Sequence, residues 1–294
     1  MNIELKRIEV KNPFGDKRKK RNYAAPPSSK DKYITAHYYI AEKYTLFVAD
    51  SEGTIHVWKP KYDFKSELLS SKMKSHLGPI FKFLYLEDLG PGMLLSASAD
   101  RTIKMWDVWD RDLSQRVVQT MVGHGGSVLD MAYNQGILVS CSTDRTYRVW
   151  MSDANRSFML YPYFVCVQTL QLPGTSPCTV ACMASSTLVS SIFIGDDKGR
   201  IHPIDKNPLF SHADRRELRE DDMEIFNEKQ SRAPLAIHDL SISHMYIAQA
   251  ESYLCTLSFD QTAQIYEANS GNGVFGIQNP SRYIHLHPPY SLAL

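Results

Sequence analysis

Short stretches of alternating apolar and polar side chains recur along this chain, separated by turns. In residues 94–99 the side chains alternate with a period of two, which places them on opposite faces of a β-strand. The chain then turns at Asp100, because an Asp carboxylate accepts hydrogen bonds from nearby backbone N–H groups. It continues through Ile103 to Trp106 as a second strand. The pattern predicts a hairpin.

The same hairpin pattern recurs around Asp144 and, more weakly, around Asp50, Asp196 and Asp260. The positions that close the five units are 58, 106, 150, 204 and 266, so the gaps are 48, 44, 54 and 62 residues. The shorter gaps are close to the ~40–45-residue period of a four-stranded propeller blade. Further predicted strands at 79–86 and 117–122 give the second unit four strands. A single unit cannot bury its own hydrophobic face, so we expect the units to stack radially.

The residues Gly123-His124, Ser140, Asp144 and Trp150 resemble the WD40-repeat family. In that family a buried chain of hydrogen bonds runs from a His before the first strand, through a strand Ser or Thr and a turn Asp, to a Trp. The resemblance covers roughly residues 33–280. It implies three structural tetrads: His76, Ser96, Asp100 and Trp106; His124, Ser140, Asp144 and Trp150; and His238, Thr256, Asp260 and Tyr266.

The fold expected from the pattern and the resemblance is an all-β, WD40-type β-propeller. Five blades are recognisable, and a sixth is expected to start at Arg282. The first unit keeps Trp58 but has no such His, and the fourth lacks both His and Trp, so we expect these two to be less firmly held. Five blades and part of a sixth do not make a closed ring. We expect closure by a divergent N-terminal segment, by another chain or by further sequence, since an open ring leaves strand edges exposed.

Two further patterns were weighed as ligand sites. Residues 271–276 match the Gly-x-Gly-x-x-Gly dinucleotide pattern, but no helix and no acidic residue about twenty positions on are predicted to follow, so a loop between the last two strands of the fifth blade is expected. His285 and His287 lack a third metal ligand nearby in sequence. The sequence therefore predicts no cofactor, no metal site, no catalytic residues and no small-molecule substrate.

Composition divides the chain into two predicted regions. Of the 294 residues, 43% are hydrophobic and 22% are charged, which suits a globular fold. Residues 1–32 form a basic leader with ten Lys or Arg and four Asp or Glu, and residues 33–294 form the propeller. The candidate contacts of the leader with an acidic surface or a nuclear-import receptor are Lys17, Arg18, Lys19, Lys20 and Arg21. The alternative is a solvated, flexible leader.

Other candidate partner contacts lie in an insertion and at turns. The insertion at about 207–233 contains Arg216, Met223 and Phe226, and insertions in repeat folds commonly sit on a binding face. Arg101 and Arg145 are expected on one rim, because both lie in turns between the second and third strands of a blade. Arginine is enriched in binding hot spots. An inert insertion and solvated arginines are the competing interpretations.

The resemblance implies a non-catalytic scaffold or adaptor for other proteins. Cytoskeletal and ciliary WD40 scaffolds share the weak repeats, the insertion and the basic leader. A substrate-recognition subunit of a ubiquitin ligase and a nuclear or RNA-associated complex are alternatives, although Trp106-Asp107 and Trp109-Asp110 both lack the Arg that such ligase receptors carry two residues on. An enzyme with its active site in the channel is the least favoured hypothesis.

The expected compartment is a reducing one. The five Cys residues form no Cys-x-x-Cys pair, and no signal peptide or apolar stretch of ~18 residues is apparent. We therefore expect a cytoplasmic protein, with the cytoskeleton or cilium as a narrower hypothesis, the nucleus as an alternative, and no membrane partner.

Overall fold

A computed structural model describes residues 32–59, 69–88, 92–108, 117–134, 136–152, 163–172, 177–183, 191–205, 234–248, 253–269 and 276–284. This part of the chain is almost entirely β-structure. Its strands are β1 (Ile34–Ile40), β2 (Thr45–Asp50), β3 (Thr54–Lys59), β4 (Leu69–Lys74), β5 (Ile80–Leu86), β6 (Met93–Ser98), β7 (Ile103–Asp107), β8 (Val117–Met121), β9 (Val128–Asn134), β10 (Ile137–Ser142), β11 (Thr146–Ser152), β12 (Phe164–Gln171), β13 (Cys178–Met183), β14 (Ser191–Asp196), β15 (Arg200–Asp205), β16 (Leu235–Ala236), β17 (Ile242–Ala248), β18 (Tyr253–Ser258), β19 (Thr262–Asn269) and β20 (Gly276–Ile284). A short 3₁₀ helix (Ala41–Lys43) joins β1 to β2.

The strands form five four-stranded antiparallel sheets, each made of four consecutive strands. We number them sheet 1 (β1–β4) to sheet 5 (β17–β20). The expected all-β propeller architecture is confirmed, but the expected start of a sixth blade is wrong. Arg282 pairs with Gln264 of β19, so β20 is the fourth strand of sheet 5. The expected loop at 271–276 lies, except for Gly276, outside the described residues.

The five sheets share one register. Leu94 lies opposite Trp106 in sheet 2, and Leu138 lies opposite Trp150 in sheet 3. All five first strands have a register shift near their start, such as the one between Ile80 and Lys82. A β-bulge of this kind adds local twist, which suits sheets that must splay outwards from a common centre.

The core lies between neighbouring sheets rather than inside any one of them. Four clusters of buried residues join sheets 1 and 2, 2 and 3, 3 and 4, and 4 and 5. The first strands β1, β5, β9, β13 and β17 lie side by side in that order, so they form the inner row. Gln119 of β8 adds a link at the outer edge, where its side-chain amide donates to the Phe164 carbonyl at 2.6 Å and accepts from the Phe164 N–H at 2.9 Å.

Each sheet therefore has a back face towards the preceding sheet and a front face towards the next. On the back face of sheet 2, Ile80 is fully buried and Phe83 is 3% exposed. At the matching positions of sheet 1, Ile34 is 55% exposed and His37 is exposed. Tyr39 on the same face is 52% exposed. Among the described residues, no sheet packs on the back face of sheet 1, whereas the back face of each other sheet packs on a neighbour.

Candidate functional site

A hydrogen-bonded cluster centred on an Asp lies at the same place in sheets 2 and 3. His76 Nδ1 is 2.8 Å from Asp100 Oδ2, and His76 Nε2 is 2.7 Å from Ser96 Oγ. Trp106 Nε1 donates to Ser96 Oγ at 2.9 Å. His76 precedes β5, whereas the other three residues lie on β6, its turn and β7. The cluster therefore ties the incoming connection to the central hairpin.

Sheet 3 repeats this arrangement. His124 lies 3.1 Å from Asp144 Oδ2 through Nδ1 and 2.7 Å from Ser140 Oγ through Nε2. Trp150 Nε1 donates to Ser140 Oγ at 2.9 Å. The structure thus brings the four residues together in each of these two sheets, in the sequence order His, Ser, Asp, Trp.

Sheet 5 uses a modified version of the cluster. His238 Nδ1 is 3.0 Å from Asp260 Oδ2, and His238 Nε2 is 2.9 Å from Thr256 Oγ1. The Tyr266 hydroxyl donates to Gln264 Oε1, and Gln264 Nε2 donates to the Ile237 carbonyl at 2.6 Å. The Tyr266 hydroxyl is therefore linked through the Gln264 side chain to the backbone carbonyl just before His238.

Sequence analysis missed the threonine two residues after each of these Asp residues. Thr102 donates to Asp100 Oδ1 from its backbone N–H at 3.0 Å and from its hydroxyl at 2.7 Å. Thr146 and Thr262 make the same pair of bonds to Asp144 and Asp260. The signal was visible as Asp-x-Thr in all three units.

A second missed position lies opposite the Ser or Thr on the third strand. Lys104 Nζ donates to the Ser75 carbonyl at 2.6 Å, and Arg148 Nη2 donates to the Gly123 carbonyl at 2.7 Å. Gln264 makes the matching bond to Ile237. Lys104, Arg148 and Gln264 therefore have the same role. Each donates a hydrogen bond to the backbone carbonyl of the residue just before the cluster His. Because their residue types differ, no sequence motif reveals them.

Sheets 1 and 4 contain a different Asp–His pair. Asp50 and Asp196 lie two residues earlier in the register than Asp100, at the position of Ser98. His56 Nε2 is 3.0 Å from Asp50 Oδ2, and His202 Nε2 is 3.1 Å from Asp196 Oδ2. The sequence pattern did not reveal this pair, because its His follows the turn on the third strand instead of preceding the first strand. The overlooked signal is Asp-x-x-Gly-x-Ile-His, present in both units.

The Asp carboxylates of these clusters are held in the ionised form. Burial raises the pKa of Asp144, but hydrogen bonds from Thr146 and Gly125 and the nearby His124 outweigh it and lower that pKa to about 2. The pKa values of Asp50, Asp100, Asp196 and Asp260 are lowered by the same balance. Burial lowers the pKa values of His76 and His124, and the neighbouring Asp offsets this only in part. These groups make a buried structural network rather than an acid–base site open to substrate.

The upper rim, defined here as the edge that carries the turns between second and third strands, presents the candidate arginines. Arg101 and Arg145 are exposed, with φ values of +72° and +71°. Large apolar side chains on the same rim are also exposed: Leu77 at 90%, Leu240 at 52% and Phe259 at 49%. The rim thus combines cations with apolar side chains that contact water.

The other candidate contacts lie outside the described residues. These are Lys17, Arg18, Lys19, Lys20 and Arg21 of the leader, and Arg216, Met223 and Phe226 of the insertion. The pair His285 and His287 lies outside them as well.

An ion pair lies on the inner row of strands. Lys82 Nζ lies 3.0 Å from Asp130 Oδ1, and Asp130 Oδ2 accepts the Ala181 N–H at 3.1 Å. Asp130 therefore links the first strands of sheets 2, 3 and 4. In the described ranges, no group of three His, Cys, Asp or Glu residues is placed to hold a metal ion. Nor does any helix there have the length and apolar character to cross a membrane.

Comparison with known proteins identifies the class of fold. The family model described as "WD domain, G-beta repeat" matches residues 87–107 and 115–151. The crystal structure of the WD40 β-propeller domain of Doa1 superposes with a TM-score of 0.57 at 16% identity, covering 83% of this chain and 68% of that one. The fold is therefore a WD40-type β-propeller.

Curated relatives match only part of the chain. It is 32% identical over 111 residues to the nuclear distribution protein nudF of Aspergillus niger, a match covering 36% of this chain and 24% of nudF. It is 34% identical over 74 residues to the protein transport protein sec13 of Aspergillus clavatus, covering 22% and 25%. It is 31% identical over 112 residues to the tRNA (34-2'-O)-methyltransferase regulator WDR6 of Bos taurus, covering 36% and 10%. The matches thus span a quarter or less of the length of these relatives.

Proposed function

We propose that this protein is a non-catalytic interaction scaffold within a multi-protein assembly, and that its partner binds the upper rim. WD40 propellers generally act as protein-interaction scaffolds. The three relatives named above are called a distribution protein, a transport protein and a regulator. We place the assembly in the cytoplasm, with the cytoskeleton or cilium as the narrower hypothesis.

The observation that supports the rim most is the backbone conformation of Arg101 and Arg145. A non-glycine residue in the left-handed region costs ~1–2 kcal/mol. Sheets 1 and 4 have Gly53 and Gly199 at the matching turn position, where φ is also positive. Arg101 and Arg145 therefore occupy positions where glycine would be easier to accommodate. Such strain points to a use for the side chain.

The chemistry of the rim fits an acidic, partly apolar peptide or protein surface. Arginine forms paired hydrogen bonds with carboxylates, and an exposed Leu77 adds apolar area beside them. The hydrogen-bonded clusters below the rim hold its turns in one conformation. A rigid binding surface loses less entropy when a partner docks.

The test is purification of the tagged protein from its native source with Arg101 and Arg145 both replaced by Gly. Glycine is favoured at these backbone angles, so the double variant keeps the turns and removes only the side chains. We expect the recovery of the partners to fall at least about tenfold, as for the loss of a hot-spot pair. Unchanged recovery would exclude this rim as the binding surface.

The matched control is Glu42→Arg on the opposite edge. Glu42 is exposed in the 3₁₀ helix between β1 and β2, so the substitution alters charge by a similar amount away from the upper rim. We expect this variant to recover the same partners as the unmodified chain. Variants lacking 1–32 or 207–233 then test the basic leader and the insertion as additional contacts.

A further inference from the structure

Two buried cysteines lie at the interface between sheets 3 and 4. Cys141 lies on β10 and Cys178 at the start of β13, and both are fully buried. β10 and β13 are neighbours across the interface of these two sheets. Both side chains belong to the same buried cluster, and Cys178 contributes to raising the pKa of Cys141. Both thiols are free.

The surroundings of the pair place both sulfurs in one small space. Both belong to the apolar cluster that joins sheets 3 and 4, together with Tyr147 and Ile194. Burial raises the pKa of Tyr147, and the two thiols raise it further, so its phenol lies near both. Cys141 is also held in register between Asp130 of β9 and Tyr147 of β11.

We propose that Cys141 and Cys178 form a reversible disulfide that fastens sheet 3 to sheet 4. The oxidant is a small disulfide of the glutathione class. The thiolate of one cysteine attacks this disulfide and releases one small thiol, which leaves a mixed disulfide on the protein. The second cysteine then displaces the other small thiol. In total the two protein thiols lose two protons and two electrons, and the small disulfide is reduced to two thiols.

Burial controls when this reaction takes place. It raises the pKa of Cys141 well above its usual value, so little thiolate is present in the closed structure. An oxidant reaches the pair only when sheets 3 and 4 separate locally or while the chain folds. A reductant needs the same opening. The bond is therefore slow to form in the folded protein and slow to break once formed.

The disulfide would act on the stability of the propeller. It would close a loop that contains β11 and β12, which reduces the conformational freedom of the unfolded chain. It would also prevent sheet 4 from separating from sheet 3. The expected result is a more heat-resistant protein under oxidising conditions.

The test uses the full chain incubated in reduced and oxidised glutathione at a urea concentration just below the unfolding transition. Remaining thiols are alkylated, and the protein is analysed by intact mass and peptide mapping. We expect a product that carries three alkyl groups, where the fully reduced chain with its five Cys carries five, and in which the Cys141 and Cys178 peptides are linked. Its melting temperature should exceed that of the reduced protein by about 5 °C.

Variants assign the bond to this pair. Cys141→Ser and Cys178→Ser should each abolish the linked product and the rise in melting temperature, whereas Cys255→Ser in sheet 5 should keep both. The comparison of oxidised and reduced unmodified protein does not depend on the folding of any variant. A linked pair other than Cys141 and Cys178, no linked product, or a linked product that melts no higher than the reduced protein would overturn the proposal.

Discussion

At the scale of single residues, the chemistry of this chain is used to hold turns in place. Histidine and aspartate in contact are typical of catalytic sites, yet here the His of each pair is buried and the Asp also accepts hydrogen bonds from backbone N–H groups of its own turn. Asp100 accepts hydrogen bonds from His76, from Thr102 and from the Leu77 backbone. A carboxylate satisfied in this way fixes one packing of the hairpin and leaves no free lone pair aimed at a substrate.

Stability should therefore fall as the pH falls. Burial lowers the folded-state pKa values of His76 and His124, so below about pH 6.5 the unfolded chain binds protons that the folded chain does not. Each such histidine removes roughly 1.4 kcal/mol per pH unit between its unfolded and folded pKa values. A further loss below about pH 4 comes from the aspartates, whose pKa values are lowered in the folded state. Urea midpoints should change little between pH 7.5 and about pH 6.5 and should decrease from there to pH 5.

The control for this prediction is His124→Gln, which cannot take up the proton. Its midpoint is expected to be lower at pH 7.5, and the decrease between pH 7.5 and pH 5 should be smaller than in the unmodified chain. A midpoint that is constant or increases on acidification would show that these histidines are not buried in the neutral form.

The residues of the three tetrads could be predicted because their types and spacings repeat. His56 and His202 could not be recognised in the same way. Sequence reasoning searched for a His ahead of the first strand, and these two occupy the position that holds Lys104, Arg148 and Gln264 in the other sheets. Their role depends on register, which is fixed only by the pairing of β2 with β3 and of β14 with β15.

At the scale of elements, all five central hairpins turn through a residue with positive φ. In sheets 1 and 4 this residue is glycine, and the space around it excludes a side chain in addition to its positive φ. A Cβ on Gly53 would lie 2.6 Å from the His76 carbonyl oxygen, and one on Gly199 would lie 2.2 Å from that of His238. The connection to the next sheet passes too close for any side chain. The central hairpin of one sheet thus packs directly against the backbone of the cluster His of the next sheet, and this contact fixes their relative positions.

Gly53→Ala and Gly199→Ala should each lower the free energy of unfolding by about 2–4 kcal/mol. The cause is the left-handed backbone together with the backbone contact, and urea denaturation measures the effect. Gly125→Ala is the matched control, since its Cβ would meet Asp144 Cβ at 3.7 Å, an ordinary contact. That variant should stay within about 0.5 kcal/mol of the unmodified chain. Equal effects at all three positions would contradict this account of the turns.

The sequence predicts the hairpins accurately but does not predict the end of the last strand correctly. Alternation predicts β5, β6 and β8 within a residue or two, because each has one face against a neighbouring sheet. The expected start of a sixth blade at Arg282 was wrong, because residues 276–284 form one strand that closes the fifth sheet. A single strand has the same pattern whether it ends one sheet or begins the next, and only its pairing with β19 decides the matter.

At the scale of the whole molecule, the five sheets form a row with an open end at the back of sheet 1. His37 and Phe83 occupy matching positions, opposite Val48 and Ser96 respectively. Phe83 is buried against sheet 1, whereas His37 is exposed. The same position in the repeat is thus a core site in one sheet and a surface site in another.

Alanine at these two positions should give very different results. Phe83→Ala should cost about 3–5 kcal/mol of unfolding free energy, because it leaves a cavity between two sheets. His37→Ala should change that free energy by less than about 0.5 kcal/mol. Both are measured by urea denaturation of the purified chain. A large effect of His37→Ala would mean that another sheet covers the back face of sheet 1 in solution, through self-association or closure of the ring.

The central claim is that the upper rim binds the partner while the clusters beneath it only hold the turns in place. Hydrogen–deuterium exchange of this chain, free and within its purified native assembly, tests it most directly. We predict that exchange slows in the assembly at the turns around Arg101 and Arg145 and stays unchanged on the opposite edge near Glu42. Protection confined to the edge near Glu42, or no protection at either turn, would contradict the account.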